Sequence, residues 1–207
     1  MISFTEFMPE LGSKRRALYR HIIPSLDSPS PSTPIDIYNL HCPSYILIYV
    51  KPRCQQLEAW ATISVVNWTD DPMVPEVTIS QEIAEKIRGN QFLVSEFFSQ
   101  KVLGIHNTGD NITLDELPAH HSRLIRIMPW DGKKPVLAGT DLHFSGGGVE
   151  ITEWNTLNGN IKGKIETDWN YPVQITAAFP DNHKEEGFFT KTAMLCVGQK
   201  EFVISKY

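Results

Sequence analysis

The sequence predicts an all-β fold, an antiparallel two-sheet β-sandwich of Greek-key or jelly-roll type, preceded by a short N-terminal helical or extended arm. Short apolar or alternating segments recur at a spacing of roughly 8–12 residues and are separated by Gly, Asn and Pro turns, as in sandwiches and barrels. Two segments, Tyr45–Val50 (YILIYV) and Trp60–Asn67 (WATISVVN), are apolar almost throughout. This pattern is typical of strands buried on both faces, so we expect these two to be central.

Composition shifts divide the chain into an arm, residues 1–34, and a sandwich, residues 35–207. Within the arm, Met1–Ile23 places apolar residues near helical spacing and can hold a short helix. Pro24–Pro34 is rich in Pro and Ser, which favours an extended linker or a strap over a surface. At the other end, residues 149–207 could form an added β subdomain.

The remaining elements follow from local patterns of apolar, polar and turn residues. Gln81–Arg88 is predicted to be a short helix, and Ser99-Gln100 the turn of a hairpin. In the segment SRLIRIM, alternation places Leu124 and Arg126 on one face and Arg123 on the other. The further predicted strands are Pro75–Ser80, Phe92–Phe98, Val102–Ile105, Ile112–Leu117, Ser122–Met128, Val136–Leu137, Leu142–Phe144, Val149–Trp154, Asn160–Glu166, Val173–Phe179, Ala193–Val197 and Phe202–Ile204.

Length and charge exclude several classes of function. The chain has 207 residues, whereas a (β/α)8 barrel alone needs about 250. Its formal net charge is -5, so neither nucleic acid nor an anionic membrane is an expected partner. There is no basic start followed by an apolar stretch, and no apolar run of about 18 residues, so we expect a cytoplasmic protein without a membrane span.

No residues with the spacing of a catalytic or metal site stand out. Three cysteines without a CxxC pair predict neither a disulfide framework nor a zinc site, and no cofactor is expected. Asp70-Asp71 is a close carboxylate pair, but Asp-Asp-Pro is a common turn sequence. Asp141 and His143 could share a face of a strand, yet no third metal ligand accompanies them. The glycines at 146–148 precede a β-rich segment and therefore indicate a turn, not a phosphate loop.

Three tryptophans are the candidate carbohydrate-binding residues. Trp130, Trp154 and Trp169 lie near predicted loops or strand ends, where an exposed indole could stack on a sugar ring. The alternative is that each ring belongs to the core or its rim.

Four segments, in this order and at this spacing, resemble a known family. They are WATISVVNWTD from Trp60, SEFFSQKVLG from Ser95, LPAHHSRLIRI from Leu117 and PVLAGTDLHFSGGGVEI from Pro135. Together they are similar to the C-terminal β-sandwich of α-galactosidase (melibiase)-type glycoside hydrolases over about Tyr38–Ile151, although Glu96 and Phe98 stand where that family usually has Asp and Trp. The resemblance implies a structural framework motif, consisting of Asn67, Trp68, Thr69, Asp70, His121, Arg123, Gly139 and His143.

The resemblance also implies a function. In that family the catalytic aspartates lie on a separate barrel, so no catalytic residue is transferred to this chain. We expect a non-catalytic accessory domain that packs on or stabilises a glycoside hydrolase barrel encoded elsewhere or lost. An independent carbohydrate-binding module, a homo-oligomer and an unrelated small enzyme on a sandwich remain alternatives. Trp68 is expected to close one end of the core, so Trp68→Ala should cost about 3–5 kcal/mol.

Overall fold

The chain folds almost entirely into antiparallel strands. The computed structural model describes residue 12 and residues 18–22, 32–36, 42–167 and 170–207. Leu18 and Tyr19 are helical, while the rest of the helix predicted within Met1–Ile23 lies largely outside the described residues. The helix α1 spans Gln81–Ile87. The strands are β1 (Thr33–Pro34), β2 (Tyr45–Val50), β3 (Trp60–Val66), β4 (Glu76–Thr78), β5 (Gln91–Glu96), β6 (Val102–Asn107), β7 (Asn111–Thr113), β8 (Ser122–Pro129), β9 (Val136–Thr140), β10 (Ile151–Leu157), β11 (Asn160–Ile165), β12 (Val173–Pro180), β13 (Phe188–Leu195) and β14 (Glu201–Ile204).

A six-stranded sheet with the order β1-β2-β3-β8-β5-β6 is the largest element of the fold. Strands β10-β11-β14 and β13-β12-β9 form two three-stranded sheets, and β4 pairs with β7. All of these pairings are antiparallel. The predicted all-β, sandwich-like class is therefore confirmed, with the second layer divided into two small sheets.

The six-stranded sheet buries both of its faces. On β3, Ala61 and Ile63 point into one hydrophobic core, which is closed by α1 and the β4–β7 pair. Trp60, on the opposite face of the same strand, belongs to a second core shared with both three-stranded sheets. This second core joins Val50 of β2 to Phe202 of β14. The residues that follow 149 therefore pack against the large sheet.

Local sequence explains why α1 forms where it does. The Ser80 hydroxyl caps the helix N-terminus by accepting the N–H of Ile83 at 3.3 Å. The helix ends at Arg88, which adopts a left-handed conformation with φ 59°. Ile83 and Ile87, four residues apart, bury one face against the sheet.

Three predicted elements differ from the structure. Strand β2 is mostly half-buried, because only the two-residue strand β1 covers its outer side, so it lies near the sheet edge and is not central. Leu142–Phe144 forms bends and a turn and is not a strand, since the chain here leads into the turn at residues 145–148. Thr33–Pro34, predicted as the end of the linker, pairs with Leu47 and Ile46 of β2.

No helix within the described ranges combines the length and apolar character needed to cross a membrane.

Close packing of the small β10-β11-β14 sheet is expected to make Gly163 intolerant of a side chain. A Cβ there would lie 2.3 Å from Cζ of Phe202 and 2.6 Å from the backbone oxygen of Glu153. Gly163→Ala should therefore lower the free energy of unfolding by about 1–3 kcal/mol, the usual effect of overpacking. Urea unfolding measures this change. Lys162→Ala, on the exposed face of the same strand, should stay within about 0.5 kcal/mol; equal effects of the two changes would contradict this packing.

Candidate functional site

The corner that follows β3 is held by the side-chain amide of Asn67. This side chain is fully buried, and its Nδ2 donates to the carbonyls of Asp71 at 2.8 Å and Leu117 at 3.1 Å. Its Oδ1 accepts the Thr69 N–H at 3.0 Å, and the Asn67 backbone N–H donates to the carbonyl of His121 at 2.9 Å. The side chain and backbone of Asn67 therefore join residues 67–71 to residues 117–121, as expected of a framework residue.

Trp68 lies on the outside of this corner, which corrects the expectation that it closes the core. Its side chain is 54% exposed, and its Nε1 donates to the carbonyl of Pro43 at 2.9 Å. The reason is the alternation of the strand, since Asn67 takes the buried position and turns its neighbour outward. An exposed indole whose orientation is fixed by a hydrogen bond is suited to binding.

Asp70 is also at the surface of the corner, where it contacts His120. The distance from Nε2 of His120 to Oδ1 of Asp70 is 2.9 Å, and both side chains are exposed. Asp71 contributes a backbone carbonyl to Asn67. The two neighbouring carboxylates therefore belong to an exposed surface turn.

Two of the three candidate sugar-binding tryptophans are buried, so neither presents a flat exposed ring. Trp130 is 6% exposed and packs edge-to-face on Phe188 at 6.2 Å between ring centroids. Trp154 is 4% exposed and packs on Phe202 at 6.0 Å. Both rings join the core shared with the small sheets, because apolar surface of this size gains more from burial than from exposure. Trp169 lies outside the described residues.

Trp130 nevertheless contributes to the lining of an open groove of about 610 Å³ between α1 and the end of β8. Carboxylate and amide side chains line the same groove, together with Lys134, which is paired with Glu58 at 2.8 Å. The other polar lining residues are Gln81, Glu85, Arg88, Asn90, Gln91 and Asp131. A groove with this lining can offer hydrogen bonds to a polar ligand.

The most unusual group in the structure is the guanidinium of Arg126, which lies between the large sheet and the small ones. Arg126 is 4% exposed, and its guanidinium carbon lies 4.0 Å from the centroid of the Trp60 ring. Trp60 is held in place because its Nε1 donates to the carbonyl of Ser145 at 3.0 Å. Burial lowers the pKa of Arg126 to about 9, so the group remains cationic at neutral pH.

Glu150 is a buried residue whose charge acts on this cation. The Thr140 hydroxyl donates to its Oε1. Burial raises the pKa of Glu150, opposed by the Thr140 hydroxyl and by backbone N–H groups. Neither Arg126 nor Glu150 was assigned a role from the sequence. A signal was present, since an arginine stood inside the apolar strand LIRIM on the face shared with Leu124.

The other residues of the predicted framework motif fall into two groups. His143 and Gly139 adjoin the buried cluster: Nδ1 of His143 accepts the Ser145 N–H at 3.1 Å, and a Cβ on Gly139 would lie 3.9 Å from Nη1 of Arg126. His121 and Arg123 belong to the outer corner, where Nη2 of Arg123 donates to the carbonyl of Glu116 at 3.2 Å. The motif residues do not converge on one site.

Across the described residues, no group of three or more His, Cys, Asp or Glu side chains has a geometry that could hold a metal ion. The three cysteines are free thiols, with Cys54 buried and Cys42 and Cys196 exposed.

Comparison with known proteins gave no match among protein-family models, curated proteins or solved structures.

Substitutions at the two neighbouring residues Asn67 and Trp68 are expected to have different effects on the stability of the protein. Asn67→Leu should lower the free energy of unfolding by more than about 2 kcal/mol, because several buried polar groups lose their partners. Trp68→Ala should change it by less than about 1 kcal/mol, as is usual for an exposed side chain. Urea unfolding of both variants checks this order. A larger loss for Trp68→Ala would restore the expectation from the sequence.

The raised pKa of Glu150 predicts that the free energy of unfolding depends on pH, and it determines the sign of that dependence. The folded state holds this proton more tightly than the unfolded chain, so its contribution to stability is complete at low pH. That contribution should fall as pH rises from about 4.5 through the pKa of the folded state. Glu150→Gln should flatten this decline when urea unfolding is measured at a series of increasing pH values above about 4.5. The matched control is Glu153→Gln, an exposed position on β10, the strand that begins directly after Glu150. Parallel curves for wild type and Glu150→Gln would contradict the assignment.

Proposed function

We propose that this chain is a non-catalytic accessory β-sandwich that packs on the catalytic barrel of an α-galactosidase-type glycoside hydrolase. The observation that carries the proposal is the placement of its buried carboxylates. Glu96 lines a cavity of about 20 Å³ beside Arg126, which has room for roughly one water molecule. A ligand site is usually about 300–1,000 Å³. A sugar ring therefore cannot reach this carboxylate.

The contacts made by Glu96 and Asp70 support the same proposal. Glycoside hydrolysis by the common mechanisms needs two carboxyl groups on either side of one sugar. Glu96 already accepts the backbone N–H groups of Phe98 and Ser99 at 3.1 and 2.6 Å. Asp70 is paired with His120 on an exposed turn. These arrangements favour a role in folding over one in acid–base chemistry.

Trp68 is the residue that we expect to contact the barrel. Tryptophan is among the residue types most enriched at the energetic centres of protein interfaces. Its indole is exposed, and the bond to Pro43 fixes its orientation before a partner arrives. A preoriented side chain loses little conformational entropy on binding.

Carbohydrate binding is the second candidate, favoured by the groove of about 610 Å³ along α1. Its amide and carboxylate side chains, including Asn90 and Gln91, could donate to and accept from sugar hydroxyls. The groove contains no exposed aromatic platform at Trp130, so we expect the affinity for free galactose to be no tighter than about 1 mM.

The test combines the purified chain with an α-galactosidase-type barrel produced without its own C-terminal sandwich. We expect calorimetry to show binding, the melting temperature of the barrel to rise, and the isolated chain to release no product from aryl glycosides. Trp68→Ala should weaken binding by at least about 30-fold, the effect of losing a residue that contributes about 2 kcal/mol to binding. Phe98→Ala, an exposed aromatic in another turn, serves as the matched control.

Turnover of an aryl glycoside by the chain alone would overturn the proposal. So would failure to bind the barrel. Titration with oligosaccharides examines the second candidate in parallel: micromolar binding that is lost in Asn90→Ala or Gln91→Ala would select the groove in place of the docking surface.

A further inference from the structure

A small cavity lies against the edge of the Arg126 guanidinium, and hydrogen-bond donors face it. Its volume is about 20 Å³, and its lining includes Arg126, Thr62, Ser95, Gln100 and Thr140. Thr62 and Arg126 are directly opposite each other on β3 and β8. Their side chains therefore project from the same face of the large sheet, toward the small sheets.

These two residues carry buried donors that have no acceptor. Nε, Nη1 and Nη2 of Arg126 make no hydrogen bond to any described residue, and neither does Oγ1 of Thr62. Trp60 covers one face of the guanidinium but cannot satisfy its N–H groups, which point outward in the plane of the group. A buried cation with unmade hydrogen bonds is strongly unfavourable unless something fills the space.

Several other polar groups at the cavity are already engaged in hydrogen bonds. Ser95 Oγ donates to the carbonyl of Ala138 at 2.8 Å, and Gln100 Nε2 donates to the carbonyl of Thr140 at 3.1 Å. The hydroxyl of Thr140 donates to Glu150, and Glu96 accepts two backbone N–H groups. The buried groups lining this cavity that have no hydrogen bond to a described residue are thus the Arg126 guanidinium and the Thr62 hydroxyl. Oε2 of Glu150, whose charge acts on Arg126, also has no such bond.

We propose that this cavity binds one small monovalent anion of halide chemistry, held by the guanidinium of Arg126 and the hydroxyl of Thr62. The positive charge and the donors select an anion over a cation. The volume excludes a polyatomic anion as large as sulfate. This site is independent of the proposed function, because it is internal and involves neither Trp68 nor the groove along α1.

The experiment uses the purified full chain in sodium gluconate, an anion too large for the cavity, at constant ionic strength. Gluconate is replaced stepwise by chloride or bromide while the melting temperature is recorded. We expect a saturable rise in melting temperature, as for any ligand that binds only the folded state. A chlorine NMR linewidth that broadens with protein and narrows on addition of bromide should report the same site.

Two variants test whether the rise in melting temperature with chloride arises from binding in this cavity. Thr62→Val keeps the shape of the side chain and removes an unpaired buried hydroxyl, so it should fold well in gluconate and shift the half-saturating chloride concentration upward at least about tenfold. Arg126→Met should abolish the response. Thr190→Val, on the exposed side of β13, is the matched control and should behave as wild type.

Absence of a saturable chloride effect in the folded wild-type chain would overturn the proposal and leave water as the occupant. An equal response in wild type and Thr62→Val would also overturn it, since the anion would then act at the protein surface. Should Arg126→Met fail to fold, the comparison of Thr62→Val with Thr190→Val still decides the question.

Discussion

The stacking of Arg126 on Trp60 is the interaction around which the two layers of the sandwich are arranged. A guanidinium at the centre of a hydrophobic interior needs a surface that accepts its face and space along its edge. The indole, fixed by the Ser145 carbonyl, provides the surface. Gly139 and Gly146 approach the guanidinium without side chains and so provide the space.

At the Asn67 corner, an apolar strand ends and the side chain of Asn67 supplies hydrogen bonds to the polar backbone groups of the loops that follow. One buried amide donates to and accepts from segments that lie far apart in the chain, including Leu117 and Thr69. A side chain that satisfies several backbone groups fixes the path of the loops it contacts. Because Asn67 occupies the interior, Trp68 is left on the surface, where its indole is available to a partner.

The proposed docking role and the proposed anion site use separate parts of the molecule. Trp68 is exposed at one end of the large sheet. Arg126 and Thr62 lie inside, between the layers. Binding at the surface depends on the fixed orientation of an aromatic ring, whereas binding inside would complete hydrogen bonds that the protein leaves open. A substitution at one place should therefore leave the other intact.

The sequence by itself determined the fold class, the hairpin around Ser99-Gln100 and the opposite faces of Leu124 and Arg123, because alternation and turn residues act over a few positions. Only the tertiary structure decided which aromatic rings are buried. Trp68 is exposed, against the expectation, and Trp130 is buried, which is the alternative that the sequence left open, because the exposure of a ring depends on which distant strand packs over it. For the same reason, the cluster at Arg126 could not be predicted from the sequence. Its partners Trp60 and Glu150 are far from Arg126 in the chain and are brought to it by strand pairing and sheet packing.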